Sequence, residues 1–328
     1  MRTPVLVILW VISFGMVVVA DAPITADNIP QLSMRQAFDT DLDSFDAYFL
    51  SDENIAVSAQ SQFHVSNLVA QAPDVVEIAN GDGRIVALSP DRRLLALYYS
   101  NREVEIWTTD PMAFHVSIGC LQGTSRTHGA FTADGRLFAV FNRWNEVDVW
   151  DLESMECLHE LTGLRSNAFD LAFSPDGTLL AAGGGVSSRD DHGVSLICIW
   201  NVASGELAET LPTQAIGDNH AMAFTPDGAQ LVSAGNFRMH AWETQSWERT
   251  YDSGSAYPGS YGMSLSPDGS LLAIASDTRT VLFYEVATMQ RLRTVSAGAS
   301  VQDVDFSPDG TKLAVACANG DVRIWTIP

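Results

Sequence analysis

An acidic run near the start of the chain has residue types and spacing suited to a cation. Its members are Asp39, Asp41, Asp43 and Asp46. The first three match ligand positions 1, 3 and 5 of a calcium-binding loop. Ser44 stands where such a loop has glycine, and Leu50 where it has a bidentate glutamate. We therefore predict a candidate Ca²⁺ site with an incomplete ligand set, and we expect no other cofactor.

A second candidate cation site is the sequence Asp190, Asp191 and His192. It falls in an insertion of 8 residues. Trp200 lies 26 residues after Ser174, whereas in the preceding repeat Trp150 lies 18 residues after Thr132. Insertions in repeats map to loops, often on the binding face. A solvated loop is the alternative, since ligands adjacent in sequence seldom complete a coordination shell.

Aromatic and arginine side chains occur in loops where small polar residues are usual. We predict that they contact a partner protein, because Trp, Tyr and Arg are enriched at interface hot spots. The alternative is local packing over the rim of the fold. These residues are Arg143 and Trp144 in one hairpin, Phe237 and Arg238 in another, and Tyr257 and Tyr261 in a connection.

The chain has no local catalytic motif. Gly-x-Ser-x-Gly, His-Glu-x-x-His, phosphate-loop and dinucleotide fingerprints are all missing, and the 7 histidines are scattered. We therefore favour a non-catalytic protein. An enzyme is the alternative, because a site assembled from several repeats leaves no motif.

Six copies of one turn punctuate the sequence. They are Leu88–Asp91, Phe131–Gly135, Phe173–Gly177, Phe224–Gly228, Leu265–Gly269 and Phe306–Gly310, and three of them read Ser-Pro-Asp-Gly after an apolar residue. From Ser89 onward they are spaced by 43, 42, 51, 41 and 41 residues. Such a period, with strand-like patterning, predicts one four-stranded blade per copy.

The third strand of each repeat carries the clearest family signature. Val104–Trp107, Val147–Trp150, Ile197–Trp200 and Ile324–Trp325 alternate and end in tryptophan, and Trp150-Asp151 keeps a Trp-Asp dipeptide. From about residue 45 to 328 the chain resembles the WD-repeat β-propeller family. The resemblance implies a protein- or peptide-binding scaffold. It places the usual binding face on the rim that bears the hairpins between second and third strands, opposite the Ser-Pro-Asp-Gly turns.

Seven blades are predicted within a single domain of residues 29–328. A weaker repeat begins near Ser51, 38 residues before Ser89. The chain stops after a third strand, so residues 29–38 are expected to supply the missing outer strand and close the ring. A six-bladed ring of the TolB-like type is the alternative.

The first 20 residues predict an export signal or an uncleaved anchor, followed by a linker at 21–28. Arg2 precedes an uncharged apolar run from Val5 to Ala20. We expect the repeats to be extracytoplasmic: secreted, at the cell surface or in the periplasm. Apart from such an anchor, no membrane association is expected.

The net charge of the chain limits the classes of partner that it is expected to bind. The chain carries 18 basic and 40 acidic residues, a net charge of −22. This balance argues against nucleic acid and anionic lipid. We therefore expect a monomer that binds another protein or a peptide. The alternatives are a hydrolase or lactonase-like enzyme with a site, metal-dependent or not, at the channel mouth, and a purely structural propeller.

Overall fold

The computed structural model describes residues 22–39, 46–59, 62–68, 83–99, 101–118, 128–142, 146–164, 168–184, 196–213, 219–235, 238–254 and 257–326. These residues form seven antiparallel sheets. The first strand of each sheet contacts the sheet of the preceding blade, and β2 contacts the last sheet, so that the sheets make a closed ring. The prediction of a seven-bladed propeller is confirmed.

The blades follow one another in chain order. Blade 1 has β2 (Asp46–Phe49), β3 (Asn54–Ala59) and β4 (Gln62–Asn67); blade 2 has β5 (Arg84–Leu88), β6 (Leu94–Tyr98), β7 (Val104–Thr109) and β8 (Met112–Ile118); blade 3 has β9 (Gly129–Phe131), β10 (Leu137–Phe141), β11 (Val147–Asp151) and β12 (Glu156–Leu161); blade 4 has β13 (Ala168–Phe173), β14 (Leu179–Gly184), β15 (Leu196–Asn201) and β16 (Leu207–Pro212). Blade 5 has β17 (Asn219–Phe224), β18 (Gln230–Gly235), β19 (Met239–Glu243) and β20 (Arg249–Asp252); blade 6 has β21 (Ser260–Leu265), β22 (Leu271–Ser276), β23 (Thr280–Glu285) and β24 (Gln290–Ser296); blade 7 has β25 (Val301–Phe306), β26 (Lys312–Cys317) and β27 (Asp321–Thr326).

The N-terminal strand closes the ring, as predicted. Strand β1 (Ser33–Asp39) pairs antiparallel with β27 and completes blade 7. A 3₁₀ helix over Ile29–Gln31 precedes it. Ile24 and Ile29 are 2% and 1% exposed, so the segment before β1 packs into the core between blades 6 and 7.

The repeated turn is held by side chains that bond to their own backbone. In blade 4 the Ser174 hydroxyl donates to Asp176 Oδ1 at 2.6 Å, and that oxygen accepts the N–H of Thr178 at 3.0 Å. Gly177 has φ +71°, a conformation that glycine adopts without strain. The same bonds recur in the other copies, so the turn fixes the geometry of its rim.

Arg92 replaces the glycine of this turn in blade 2. It keeps the left-handed backbone, at φ +60°. Its guanidinium donates to Asp305 Oδ2 at 2.6 Å and Oδ1 at 3.2 Å, and to the carbonyl of Phe306 at 3.0 Å, all in blade 7. It also donates to the carbonyl of Phe49, while the Phe49 N–H donates to Asp305 at 2.8 Å. One side chain from blade 2 thus clamps blade 1 to blade 7.

We predict that Arg92→Met lowers the free energy of unfolding by about 3 kcal/mol, because it leaves the Asp305 carboxylate, which is 9% exposed, without its cation. Arg93→Met is the matched control, since the Arg93 side chain is 84% exposed and lies 3.8 Å from Asp91. That control should change stability by less than about 0.5 kcal/mol. Urea unfolding measures both. Equal stability of the two variants would contradict the clamp.

Candidate ligand site in the central channel

A cavity of about 410 Å³ runs along the axis of the ring. Its walls are the inner strands of all seven blades: β2, β5, β9, β13, β17, β21 and β25, together with His128, which precedes β9. Each inner strand ends at a turn of the Ser-Pro-Asp-Gly rim or its blade 1 equivalent. The beginnings of these strands therefore all meet at the mouth on the hairpin rim.

One position of the inner strand supplies most of the polar groups near this mouth. In blade 7 the last residue of β25, Phe306, pairs with Leu313 of β26. Asp303 pairs with Ala316, which is three residues further along β26, and the position of Asp303 is the one meant in every blade. From blade 1 to blade 7 it is filled by Asp46, Arg84, His128, Asp170, Ala221, Gly262 and Asp303, with His128 assigned by its place in the chain.

Neighbouring blades pair charges at this level. Arg84 Nε lies 3.7 Å from Asp46 Oδ2, and His128 Nδ1 lies 3.8 Å from Asp170 Oδ1. The hydroxyl of Ser58 also donates to Asp46, at 3.3 Å. Burial raises the pKa of Asp46, against the effect of the Arg84 charge. The mouth thus combines carboxyl, guanidinium and imidazole groups.

Asp170 bonds to two backbones at once. Its Oδ1 accepts the N–H of Leu171 at 2.9 Å, and its Oδ2 accepts the N–H of Met222, in the next blade, at 2.5 Å. Burial nevertheless raises its pKa to about 7. Asp170 therefore joins blades 4 and 5 and changes charge near neutral pH.

Asp303 occupies the same position in blade 7 but is less well satisfied. It is 7% exposed, and within the described part of the chain its Oδ2 has no hydrogen-bond partner. Burial raises its pKa well above the usual range, and the charges of Asp46 and Asp305 raise it further. The backbone N–H groups of Val304 and Ala47 oppose this increase.

The acidic run predicted from sequence is spread across two blades. Asp39 ends β1, the outermost strand of blade 7, whereas Asp46 begins β2, the innermost strand of blade 1. Asp41 and Asp43 lie outside the described residues, as do Asp190, Asp191 and His192. Among the residues that are described, no group of three or more His, Cys, Asp or Glu side chains is arranged to hold a metal ion. Calcium binding stays a prediction.

The predicted contact residues fall in different surroundings. Arg143, Trp144 and Phe237 lie outside the described residues. Arg238 is bound to Asp252, 2.9 Å from each carboxylate oxygen. Tyr257 does lie in a blade connection but is only 5% exposed. Their part in partner binding stays a prediction.

Tyr261 lies in the channel wall rather than in a connection. The pairing of β21 with β22 shifts between Ser260 and Gly262, so Tyr261 is the extra residue of a β-bulge. It lines the cavity and is 39% exposed. The expectation that it belongs to a loop was wrong, because a bulge leaves no mark in the apolar pattern.

Sequence reasoning missed His128, Asp170 and Asp303. The available signal was a polar residue three positions before the aromatic residue that ends the inner strand. Cys157, Cys198 and Cys317 are free thiols, of which Cys198 and Cys317 are buried and Cys157 is exposed. A search of the described residues finds no helix with the length and apolarity to span a membrane.

The fold and the axial site define a seven-bladed β-propeller. Residues 155–201 match the family model described as WD domain, G-beta repeat. Residues 263–327 match the model for the WD40 domain of anaphase-promoting complex subunit 4. In these two segments the chain is similar to the WD-repeat propellers.

Three relatives show how far the similarity extends. Apoptotic protease-activating factor 1 of Rattus norvegicus is 32% identical over 155 residues, which are 45% of this chain and 12% of that protein. Cilia- and flagella-associated protein 52 of Chlamydomonas reinhardtii is 31% identical over 138 residues, 42% and 20% of the two chains. An uncharacterized WD repeat-containing protein of Synechocystis is 29% identical over 154 residues, 46% and 38%. The alignments thus span well under half the length of each relative.

We predict that ionisation of Asp170 makes stability depend on pH. Its pKa rises from an ordinary 3.8 to about 7 on folding, so the folded protein binds more protons and loses stability as pH rises from about 4 to 7, with no further loss above. Between pH 5 and pH 8, wild type should lose about 2–3 kcal/mol more than Asp170→Asn. Urea unfolding at both pH values measures this difference.

The His128 imidazole lies 3.8 Å from Asp170, so His128→Gln serves as the control. It should retain most of the loss between pH 5 and pH 8. An identical loss in wild type and Asp170→Asn would refute the assignment.

Proposed function

We propose that this protein is a non-catalytic, extracytoplasmic scaffold that binds a protein or peptide through the loops of its hairpin rim. The observation that supports it most is the contrast between the two rims. The turns between first and second strands have 5 residues in blades 2 to 7 and 4 in blade 1. The connections between second and third strands range from 2 to 11 residues. Binding residues concentrate on variable loops held by a rigid scaffold.

The rigid part is the stack of inner and central strands. Every residue of β22 is buried, as are the central apolar residues of β3, β6, β14 and β26. Such sheets hold the ends of their loops at fixed distances. Tyr261, exposed at the same end of the channel, extends the proposed contact surface towards the axis.

We predict that Trp144→Ala or Phe237→Ala weakens capture of the partner at least tenfold, because aromatic anchors dominate interface energies. Wild type, immobilised, first identifies the proteins retained from the organism's envelope fraction. Each is then titrated against the variants. Arg93→Ala, an exposed change in the opposite rim, should bind as wild type does. If both aromatic variants retained every partner, the assignment of these residues to the binding surface would be contradicted.

Export is a separate part of the proposal and rests on residues 1–20. We expect the mature protein to start after Ala20 or to remain anchored by this segment. Intact mass and cell fractionation distinguish the two. Recovery of the full-length chain only in the cytoplasm would overturn export and leave the rim proposal standing.

An enzyme is the second candidate, favoured by the His128–Asp170 pair in the channel wall. An imidazole beside a carboxyl whose pKa is about 7 could transfer protons in ester or lactone hydrolysis. We expect any such turnover to fall at least about 100-fold in His128→Gln. Wild type that hydrolyses a panel of esters and lactones no faster than buffer would remove this candidate.

A further inference from the structure

The outer strands of six blades share one irregularity. In β8, β12, β16, β20, β24 and β1 the pairing shifts by one residue beside the aromatic residue near the end of the third strand. The shift leaves one extra residue, a β-bulge, on the outer strand. The extra residue is Leu158 in blade 3 and Leu292 in blade 6. The residue paired with the aromatic one is Leu207 in blade 4 and Met34 in blade 7.

These two positions face the seams between blades. Leu292 packs against the core between blades 6 and 7, the side of the following blade. Leu207 pairs with Trp200, which belongs to the core between blades 3 and 4, the side of the preceding blade. Directly paired residues of neighbouring strands lie on the same face of a sheet. Each seam therefore has a bulge residue on one side and a paired residue on the other.

Most seams have a polar residue at one or both of these positions. In the described part of the chain, five seams show both positions. The seam between blades 3 and 4 has Leu158 and Leu207, and that between blades 6 and 7 has Leu292 and Met34. The other three pairs are His115 with Cys157, Ala208 with Arg249, and Thr250 with Arg291.

One of the two apolar seams is covered by the segment before β1. Ile24 and Ile29 are buried there in the same core as Leu292. The 3₁₀ helix contacts β24, where the guanidinium of Arg293 donates to the carbonyl of Ile29. The N–H of Ile24 donates to the carbonyl of Gly310 at 2.8 Å. The covering segment thus combines two aliphatic side chains with hydrogen bonds to its backbone.

The other apolar seam, between blades 3 and 4, leaves its leucines exposed. Leu158 is 42% and Leu207 is 49% exposed, whereas Leu292 at the equivalent position of blade 6 is partly buried. The two outer strands are close together here, because a Cβ on Gly205 would stand 2.6 Å from His159 Nδ1. His159 follows Leu158 in the chain, and Gly205 precedes Leu207 by two residues. The leucines therefore border one stretch of seam.

The two apolar seams differ in charge. Strand β24 carries Arg291 and Arg293, and the segment that contacts it contains Asp27 but no lysine or arginine. The outer strands at the seam of blades 3 and 4 instead carry four exposed glutamates, each within two residues of a leucine, or about 7 Å along a strand. No ion pair of the described residues involves them. They are Glu156, Glu160, Glu206 and Glu209.

We infer that the seam between blades 3 and 4 binds an extended segment of another protein, one that carries two aliphatic side chains with lysine or arginine beside them. The aliphatic side chains cover Leu158 and Leu207. The cations lie within reach of the glutamates, since the Debye length is about 8 Å at physiological ionic strength. This surface belongs to the outer strands, whereas the proposed function uses the hairpin-rim loops, so either can fail without the other.

A synthetic peptide tests this inference on the full chain. Its sequence is that of residues 22–32 with Asp27→Lys and Gln31→Lys, which keeps both isoleucines and makes the segment basic. Calorimetric titration should show saturable binding that weakens as salt is added, because exposed charges are screened. Two control peptides should bind at least about tenfold more weakly: the unchanged segment, and the lysine peptide with Ile24→Ser and Ile29→Ser.

Leucine variants locate the bound peptide. Leu158→Ser and Leu207→Ser should each weaken binding about tenfold, because apolar contact area is lost. Both side chains are exposed, so urea unfolding should show little change in stability. Met34→Ser is the matched control, since Met34 is 55% exposed and occupies the position of Leu207 in blade 7. It should bind as wild type does.

A charge variant tests the glutamates. Glu156→Gln combined with Glu206→Gln should weaken binding about three- to tenfold and reduce its dependence on salt. Glu248→Gln, an exposed change in blade 5, should have no effect.

Three results would overturn the inference. The first is a lysine peptide that does not bind, or binds no better than the unchanged segment. The second is loss of binding in Met34→Ser but not in the leucine variants, because the peptide would then have replaced the chain's own segment between blades 6 and 7. The third is dimerisation of the free protein that Leu207→Ser abolishes, seen by sedimentation, which would assign the seam to a second copy of this chain.

Discussion

Closure of the ring between its first and last blades is the constraint on which the rest of this structure depends. Blade 1 has three strands in the described part of the chain, so it offers the least pairing of the seven. Two devices join it to its neighbours: β1 completes blade 7, and Arg92 reaches from blade 2 across Phe49 to Asp305. The left-handed backbone at Arg92 is tolerated because it directs the side chain to the bonds that hold blade 1 against blade 7.

Side chains in the channel wall also join neighbouring blades. At one level of the inner strands a carboxyl bridges adjacent blades through backbone N–H groups, as Asp170 does with Met222. Such bridges require the carboxyl to be buried, and burial raises the pKa of Asp170 to about 7 and that of Asp303 well above its ordinary value. Joining blades and responding to protons are therefore two results of the same placement.

The fold could be predicted from sequence because the same turn and strand patterns recur in successive blades. Six turns and the tryptophan-ended strands gave seven blades, the weak first blade and the closing strand. The site could not be predicted in the same way. Asp303 and Gly262 meet because of register between blades, and Tyr261 reaches the channel through a bulge. Arg92 carries no local signal of its role, since its partner Asp305 lies 213 positions away. Local patterns do not encode such distances.

Strand β1 also constrains how the protein folds. It precedes every other described strand in the chain, yet it pairs with β27, which follows all of them: Ser33 opposes Thr326. Strand β1 therefore stays unpaired until β27 has been synthesised. Closing so long a loop costs entropy and slows folding. Once β27 is in place, and until β1 pairs with it, the outer edge of blade 7 is open, and a β1 strand from a second copy could occupy it by domain swapping.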